Sequence, residues 1–263
     1  MSVQSTNEKL RLEIQGHVAL VTMNNPPANT WTEESLKALK QLVQDLNDDR
    51  DIYSLVLTGG GEKFFCAGAD LNLFADGDMG VARNMARYFG EAFETLSQFR
   101  GVTIAAINGF AMGGGLEVAL ACDIRVAEEQ TLMALPEAKV GLLPCAGGTQ
   151  NLSWLVGEGW AKRMILCGER VDAAKALEIG LVEEVVPKGA ALDKAMELAN
   201  KVADQSPTSV AACKQLIQMG RTGPIAQALS PERELFADLF HSEDQKEGVQ
   251  AFLEKRKANW KNC

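Results

Sequence analysis

Residues 108–124 read NGFAMGGGLEVALACDI. Three consecutive glycines, Gly113 to Gly115, run into an apolar stretch of helical character, and Glu117 stands near its start among Leu116, Val118, Ala119, Leu120 and Ala121. A glycine lets backbones approach closely because it carries no Cβ. A helix apolar on all sides is buried all round, so Glu117 reads as a buried acid. Burial raises a carboxyl pKa, and a helix N-terminus draws it back down. That balance suits a general acid or base near neutral pH. It suits equally a carboxylate that only stabilises the helix start.

Outward from this stretch the chain alternates strand, loop and helix. Residues 101–109 (GVTIAAING) read as a buried strand, and 123–129 (DIRVAEE) and 131–135 (TLMAL) as short strands. Upstream, residues 10–23 alternate in polarity around Gly16, which predicts two strands and a tight turn. Thr32 is the expected N-cap of a helix over 33–48, with Leu36, Leu39, Leu42, Val43 and Leu46 at helical spacing. Residues 53–59 (YSLVLTG) predict a strand, 59–71 a glycine-rich loop and 80–99 a helix. Residues 136–152 read as loop, with helical patterns following to about 179 and a strand in LVEEVVP (181–187). Beyond about 190 only helices are expected, three or four of them, with breaks near Pro207, Pro224 and Pro231. The class is therefore α/β with mostly parallel strands.

Composition narrows the chemistry. The chain has 263 residues, 46% hydrophobic and 23% charged, which suits one large domain or one domain with an appendage. A formal charge of -9 disfavours nucleic acid as main partner. The first sixteen residues show no apolar signal core, and no run reaches a membrane-spanning length. Six scattered cysteines with no CxxC pair predict reduced thiols and a cytoplasmic protein. The two histidines, His17 and His241, lack a second ligand at metal spacing, so no metal site is expected. Neither a G-x-S-x-G elbow nor a phosphate-cradling glycine pattern is present.

Three loops remain: FFCAGADL (64–71), AMGGGLEV (111–118) and LPCAGGTQ (143–150). Each precedes helical chain, whose first N–H groups are free and partly positive. Two such groups converging on one carbonyl oxygen would make an oxyanion hole. For any one loop taken alone, tight packing is the commoner role of such glycines. Glu137, following Pro136, is a second acid beside such a loop, with the proline expected at the first helical position. Two glutamates beside glycine loops, in a chain almost without histidine, suggest one base and one acid.

These blocks, with NNPPANT (24–30), ALEIGLVEEVVP (176–187) and EGVQAFLEKRKANW (247–260), resemble the enoyl-CoA hydratase (crotonase) family over nearly the whole chain. The resemblance implies a spiral of ββα turns over 1–190 that holds an acyl-CoA site. It also implies a helical region over 191–263 that drives assembly into homotrimers, which pair into hexamers. The substrate implied is a trans-2-enoyl-CoA thioester, hydrated across C2=C3 to a 3-hydroxyacyl-CoA, with coenzyme A carried by the substrate and no separate cofactor. The thioester oxygen would lie between the N–H groups of Ala69 and Gly114. Glu117 and Glu137 would hold one water, Glu117 as its activator and Glu137 as proton donor to C2. Ala67, Asp70 and Leu71 would line the CoA channel, with Ala28 opposite. Phe252 and Lys255 match positions at the adenosine phosphate end, Lys255 serving a neighbouring subunit.

Two positions depart from the family pattern: Cys145 stands where glycine is usual, and Asn151 where arginine is usual, with Trp154 nearby. The nearest rival is an enoyl-CoA isomerase on the same fold, which keeps one proton-shuttling carboxylate. A non-catalytic CoA-ester or RNA-binding member is the other. Met85, Tyr88, Phe89 and Phe93 form a helical stripe that fits either the core or the wall of the acyl channel.

Overall fold

A computed structural model describes residues 7–221 and 223–263. The strands and helices follow in the order β1 (Leu10–Gln15), β2 (Val18–Met23), α1 (Glu33–Asp48), β3 (Ser54–Gly59), β4 (Phe64–Cys66), α2 (Met79–Ser97), β5 (Val102–Ile107), β6 (Phe110–Met112) and α3 (Gly114–Ala121). Next come β7 (Ile124–Glu128), β8 (Leu132–Ala134), α4 (Gly148–Leu166), β9 (Val171–Asp172), α5 (Ala173–Glu178) and β10 (Glu184–Val186). Helices α6 (Ala191–Ala203), α7 (Pro207–Met219), α8 (Ile225–Asp238) and α9 (Glu243–Glu254) complete the chain.

The first two strands both join a six-stranded sheet, ordered β1-β2-β3-β5-β7-β10, and each of the next three turns gives one strand to it and one to a four-stranded sheet, ordered β4-β6-β8-β9. A helix then closes the turn, as in β3–β4–α2, β5–β6–α3 and β7–β8–α4. This is the ββα spiral. Pairing is parallel except at β1/β2 and β8/β9. β3 is buried at all six residues, as expected for a parallel strand covered on both faces.

Local signals set the elements where they act strongly. Thr32 caps α1, accepting from the Ser35 N–H while the Ser35 hydroxyl accepts from the Thr32 N–H, with Glu33 and Glu34 in the first turn. Such a cap contributes about 1 kcal/mol. The larger share comes from the buried face of Leu36, Leu39, Leu42, Val43 and Leu46.

α6 lies past the division expected at residue 190, yet it covers the large sheet. Ala191, Ala195 and Ala199 pack on Val18, Leu20, Val56, Ile104, Ala106 and Val126. Three alanines at i, i+4 and i+8 give a helix face flat enough to lie close to a sheet. Pro207 opens α7 beneath its Ser206 cap, and Pro224 precedes α8. Pro231 breaks nothing: it sits inside α8. That helix buries none of its residues, so water can serve the carbonyl that Pro231 leaves without a donor. β4 and β9, at three and two residues, fall in segments expected to be loop and helix.

The C-terminus is knitted to one end of the large sheet. Asp244 accepts from the N–H groups of Lys261 and Asn262, and the Asn262 side chain meets Arg50 and Arg100. Those arginines precede β3 and β5, whereas the glycine loops follow the same strands. Six residues of strand separate the two ends by about 20 Å. Among the described residues no helix is long and apolar enough to cross a membrane, and no cluster of His, Cys, Asp and Glu could hold a metal. His17 stacks on Tyr53 at 4.2 Å and meets the Asp51 carbonyl, a structural role.

Candidate active site

The three glycines each meet a different neighbour. A Cβ on Gly113 would lie 3.1 Å from Glu137 Oε1, one on Gly114 2.8 Å from Phe89 Cε1, and one on Gly115 2.0 Å from the Cys66 carbonyl oxygen. Gly113 also holds φ +55°, which side chains resist. From the facing loop, a Cβ on Gly68 would lie 3.1 Å from the Gly114 nitrogen. The loop of residues 66–69 and the start of α3 are thus in direct backbone contact.

That contact brings two N–H groups together. Gly114 is the first residue of α3, so its N–H has no helical acceptor. Trp31 bridges Ala69: its N–H donates to Gly68 O at 2.8 Å, and its carbonyl accepts from Asp70 N–H at 3.4 Å. The Ala69 N–H itself is passed over. Neither the Ala69 nor the Gly114 N–H has a partner among the described residues.

The two acids flank these donors and differ in environment. Glu117 is 2% exposed, and its Oε1 accepts from the N–H groups of Ala146 at 2.8 Å and Gly148 at 2.9 Å. Burial raises its pKa, and the two N–H groups partly offset the rise. Glu137 opens a short 3-10 turn, Glu137–Val140, with Pro136 as N-cap, one position earlier than the sequence suggests. Both its carboxylate oxygens are buried without a partner. Burial pushes its pKa up to about 7, and the charge of Glu117 adds to the rise. A carboxyl of that kind is poised to exchange a proton at neutral pH.

The sign of the resulting pH dependence is fixed. Glu137 binds its proton more tightly folded than unfolded, from an ordinary 4.5 to about 7. Its contribution is therefore full below about pH 4.5 and is lost as pH rises through 7. The interval is worth about 3 kcal/mol unscreened, and about 2 kcal/mol once solvent access is allowed for. Glu137→Gln should lack this loss, gaining about 2 kcal/mol on the wild type between pH 4.5 and 8. Urea denaturation across that range measures it, and parallel profiles would contradict the burial of Glu137.

The residues expected to line a CoA channel divide into two groups. Ala67 N–H donates to Ala28 O at 3.0 Å, and Asp70 caps the 3-10 turn Leu71–Phe74 through Asn72 N–H. Ala28, Ala67, Asp70 and Leu71 therefore surround Ala69. The structure does not bring Phe252 and Lys255 to them within one chain. Phe252 is 82% exposed, and Lys255 ends α9 in a left-handed conformation. Their helix is anchored at the other end of the strands.

The stripe on α2 belongs mainly to the core: Met85, Phe89 and Phe93 are buried, with Tyr88 packed at the margin. Cys145 lies open to solvent on one side. Its thiol pKa is pushed up to about 11 by partial burial, and then by the charges of Glu117 and Glu137. Alkylation by iodoacetamide should rise about tenfold per pH unit from pH 7 to 10. Peptide mass mapping measures it, and a plateau near pH 9 would place the thiol away from the glutamates. Asn151 packs by Gly147, and Trp154 carries the Arg221 guanidinium 4.2 Å above its ring.

Several contributors were not identified from sequence. The third glycine loop was legible as a source of free N–H groups, but not that Ala146 and Gly148 direct theirs at Glu117. Asn29 is buried at φ +53°, and its amide donates to the carbonyls of Gly60, Phe64 and Phe65. It ties the NNPPANT loop to the Ala69 loop. An asparagine after two prolines was the available signal, since asparagine tolerates left-handed backbone.

The geometry thus pairs two unpartnered N–H groups with two buried carboxylates on a ββα spiral. The enoyl-CoA hydratase/isomerase family model matches residues 13–263, and the chain belongs to that family. A short-chain-enoyl-CoA hydratase of Clostridium acetobutylicum is 40% identical over 94% of this chain and 95% of its own. The solved structure of Pseudomonas aeruginosa DspI is 65% identical, with a TM-score of 0.95 over 97% of both chains. That of an enoyl-CoA hydratase from Bacillus anthracis is 36% identical, with a TM-score of 0.94 over 97% of this chain and 100% of the other.

Proposed function

We propose that the chain is an enoyl-CoA hydratase that adds water across C2=C3 of trans-2-enoyl-CoA thioesters. The observation that carries this reading is the asymmetry of the two acids beside two free N–H groups. Glu117 is fixed by two backbone donors that favour its charged form, whereas Glu137 is unpartnered with a pKa of about 7. Glu117 then draws the proton from a bound water as its oxygen attacks C3, and Glu137 delivers a proton to C2. The N–H groups of Ala69 and Gly114 take the negative charge that builds on the thioester oxygen. One such donor is worth about 3–4 kcal/mol in the transition state.

Coenzyme A is part of the substrate, and the reaction needs no other cofactor. Ala28, Ala67, Asp70 and Leu71 line its channel. Phe252 and Lys255 serve the adenosine end of a neighbouring copy, since they stand far from the site of their own chain. The exposed apolar side chains of Phe236, Phe240 and Leu253 support a homotrimer or a pair of trimers, and the free cysteines suit the cytoplasm. An isomerase would need only one proton-shuttling acid, and the second acid favours hydration.

The test is ultraviolet absorbance of the conjugated enoyl thioester. Purified protein should consume that absorbance in crotonyl-CoA and yield 3-hydroxybutyryl-CoA. Protein that leaves both short and long enoyl-CoAs untouched is not a hydratase.

A further inference from the structure

Trp31 is 1% exposed, yet its indole N–H meets no acceptor. A buried donor left unpaired opposes folding, and leucine or phenylalanine would fill a core position without one. Native chains break such local rules chiefly where function asks for it. The surroundings of Trp31 show what its width spans. Its backbone holds both neighbours of Ala69, through Gly68 O and Asp70 N–H. Its ring stands edge-on to Phe93 at 5.6 Å, and Phe93 stands edge-on to Phe89 at 5.6 Å. Phe89 in turn presses on Gly114, where a Cβ would lie 2.8 Å from its ring. Three aromatic rings thus run without a break from the residue that holds the Ala69 loop to Gly114 at the start of α3.

We infer that Trp31, Phe93 and Phe89 set the separation and aim of the Ala69 and Gly114 N–H donors, so that Trp31 and Phe89 are positioning residues for the thioester oxygen. Close-packed interiors transmit displacement, and an oxyanion hole depends on donors fixed before the reaction begins. Loss of a ring lets the two loops drift relative to each other while leaving the CoA contacts in place. The inference rests on the hydratase reading for its kinetic consequence, but not for its geometry.

The experiment compares Trp31→Leu, Phe89→Leu, the double variant and Trp31→Phe in hydration of crotonyl-CoA. Each leucine variant should lose about 10–100-fold in kcat, with KM changed less than about threefold because the CoA contacts are untouched. The double variant should fall little further than the worse single one, since both act through one stack. Trp31→Phe, which keeps a ring, should recover most of the rate. A second readout is free of turnover: 2,4-hexadienoyl-CoA bound to Glu137→Gln should absorb at longer wavelength as its carbonyl is polarised. Adding Trp31→Leu or Phe89→Leu should reduce that shift. Variants with wild-type kcat, or with losses that only track unfolded protein, overturn the inference. If the wild type fails to hydrate, the hydratase reading falls and the absorbance shift decides: a shift lost in the variants upholds the positioning role, and no shift overturns it.

Discussion

Replacing Glu137 by glutamine is expected to lower hydration of crotonyl-CoA about 10²–10⁴-fold while leaving binding of a saturated ester such as butyryl-CoA intact. The substitution removes the proton to be delivered and changes little else. Glu137 accepts no hydrogen bond from the protein, so the amide breaks none. Its volume matches the acid, so Gly113 is not crowded. Glutamine at Glu117 is a different experiment, because that carboxylate oxygen already serves Ala146 and Gly148. Ultraviolet turnover and calorimetric titration with butyryl-CoA together separate the outcomes. A variant that hydrates at the wild-type rate removes Glu137 from the chemistry, and one that no longer binds the ester makes it structural.

The second large effect concerns folding. Gly115→Ala should destabilise the chain by about 3 kcal/mol or more, or prevent folding altogether. The new methyl would sit 2.0 Å from the Cys66 carbonyl oxygen and 2.6 Å from its carbon. Both are backbone atoms, so relief requires α3 and the Ala69 loop to part. Gly159 provides the contrast: it lies within α4, and a Cβ there meets nothing within 4 Å. Gly159 stands two residues past the break at Gly157 (φ 74°, ψ 161°), and alanine there should be stabilising by about 0.5–1 kcal/mol because it narrows the unfolded ensemble. Denaturation curves for the two variants give the comparison directly. Equal stability of Gly115→Ala and wild type would refute the close approach of the loops.

Much of this architecture is legible in the sequence. The hairpin, the Thr32 cap and the buried strands follow from alternation, capping chemistry and apolar runs. β4 and β9 were hidden because their two or three residues sit inside a glycine-rich loop and a helical pattern that dominate the local signal. Pro231 misled because a proline signal assumes that the freed carbonyl cannot find water, and α8 is exposed. The glycines were ambiguous for a physical reason: a missing Cβ serves packing and ligand approach alike. The fold shows both uses within one tripeptide, since Gly115 meets backbone while Gly113 and Gly114 face an acid and a ring. Glu117 and Glu137 could be recognised as a pair, with their roles divided by resemblance, but the physical cause of their asymmetry could not. It depends on Ala146 and Gly148, some thirty residues from Glu117 in sequence and within hydrogen-bonding distance in space.

The burial of Trp31 also gives the molecule an internal lamp. Of its four tryptophans, Trp154 is largely in solvent and Trp160 and Trp260 are partly so, whereas Trp31 is sealed behind the Ala69 loop. Iodide in solution quenches the outer indoles by collision and leaves the sealed one shining. The fluorescence that survives is thus a signal from directly behind the Ala69 loop, and its colour follows any shift of that loop when a thioester arrives.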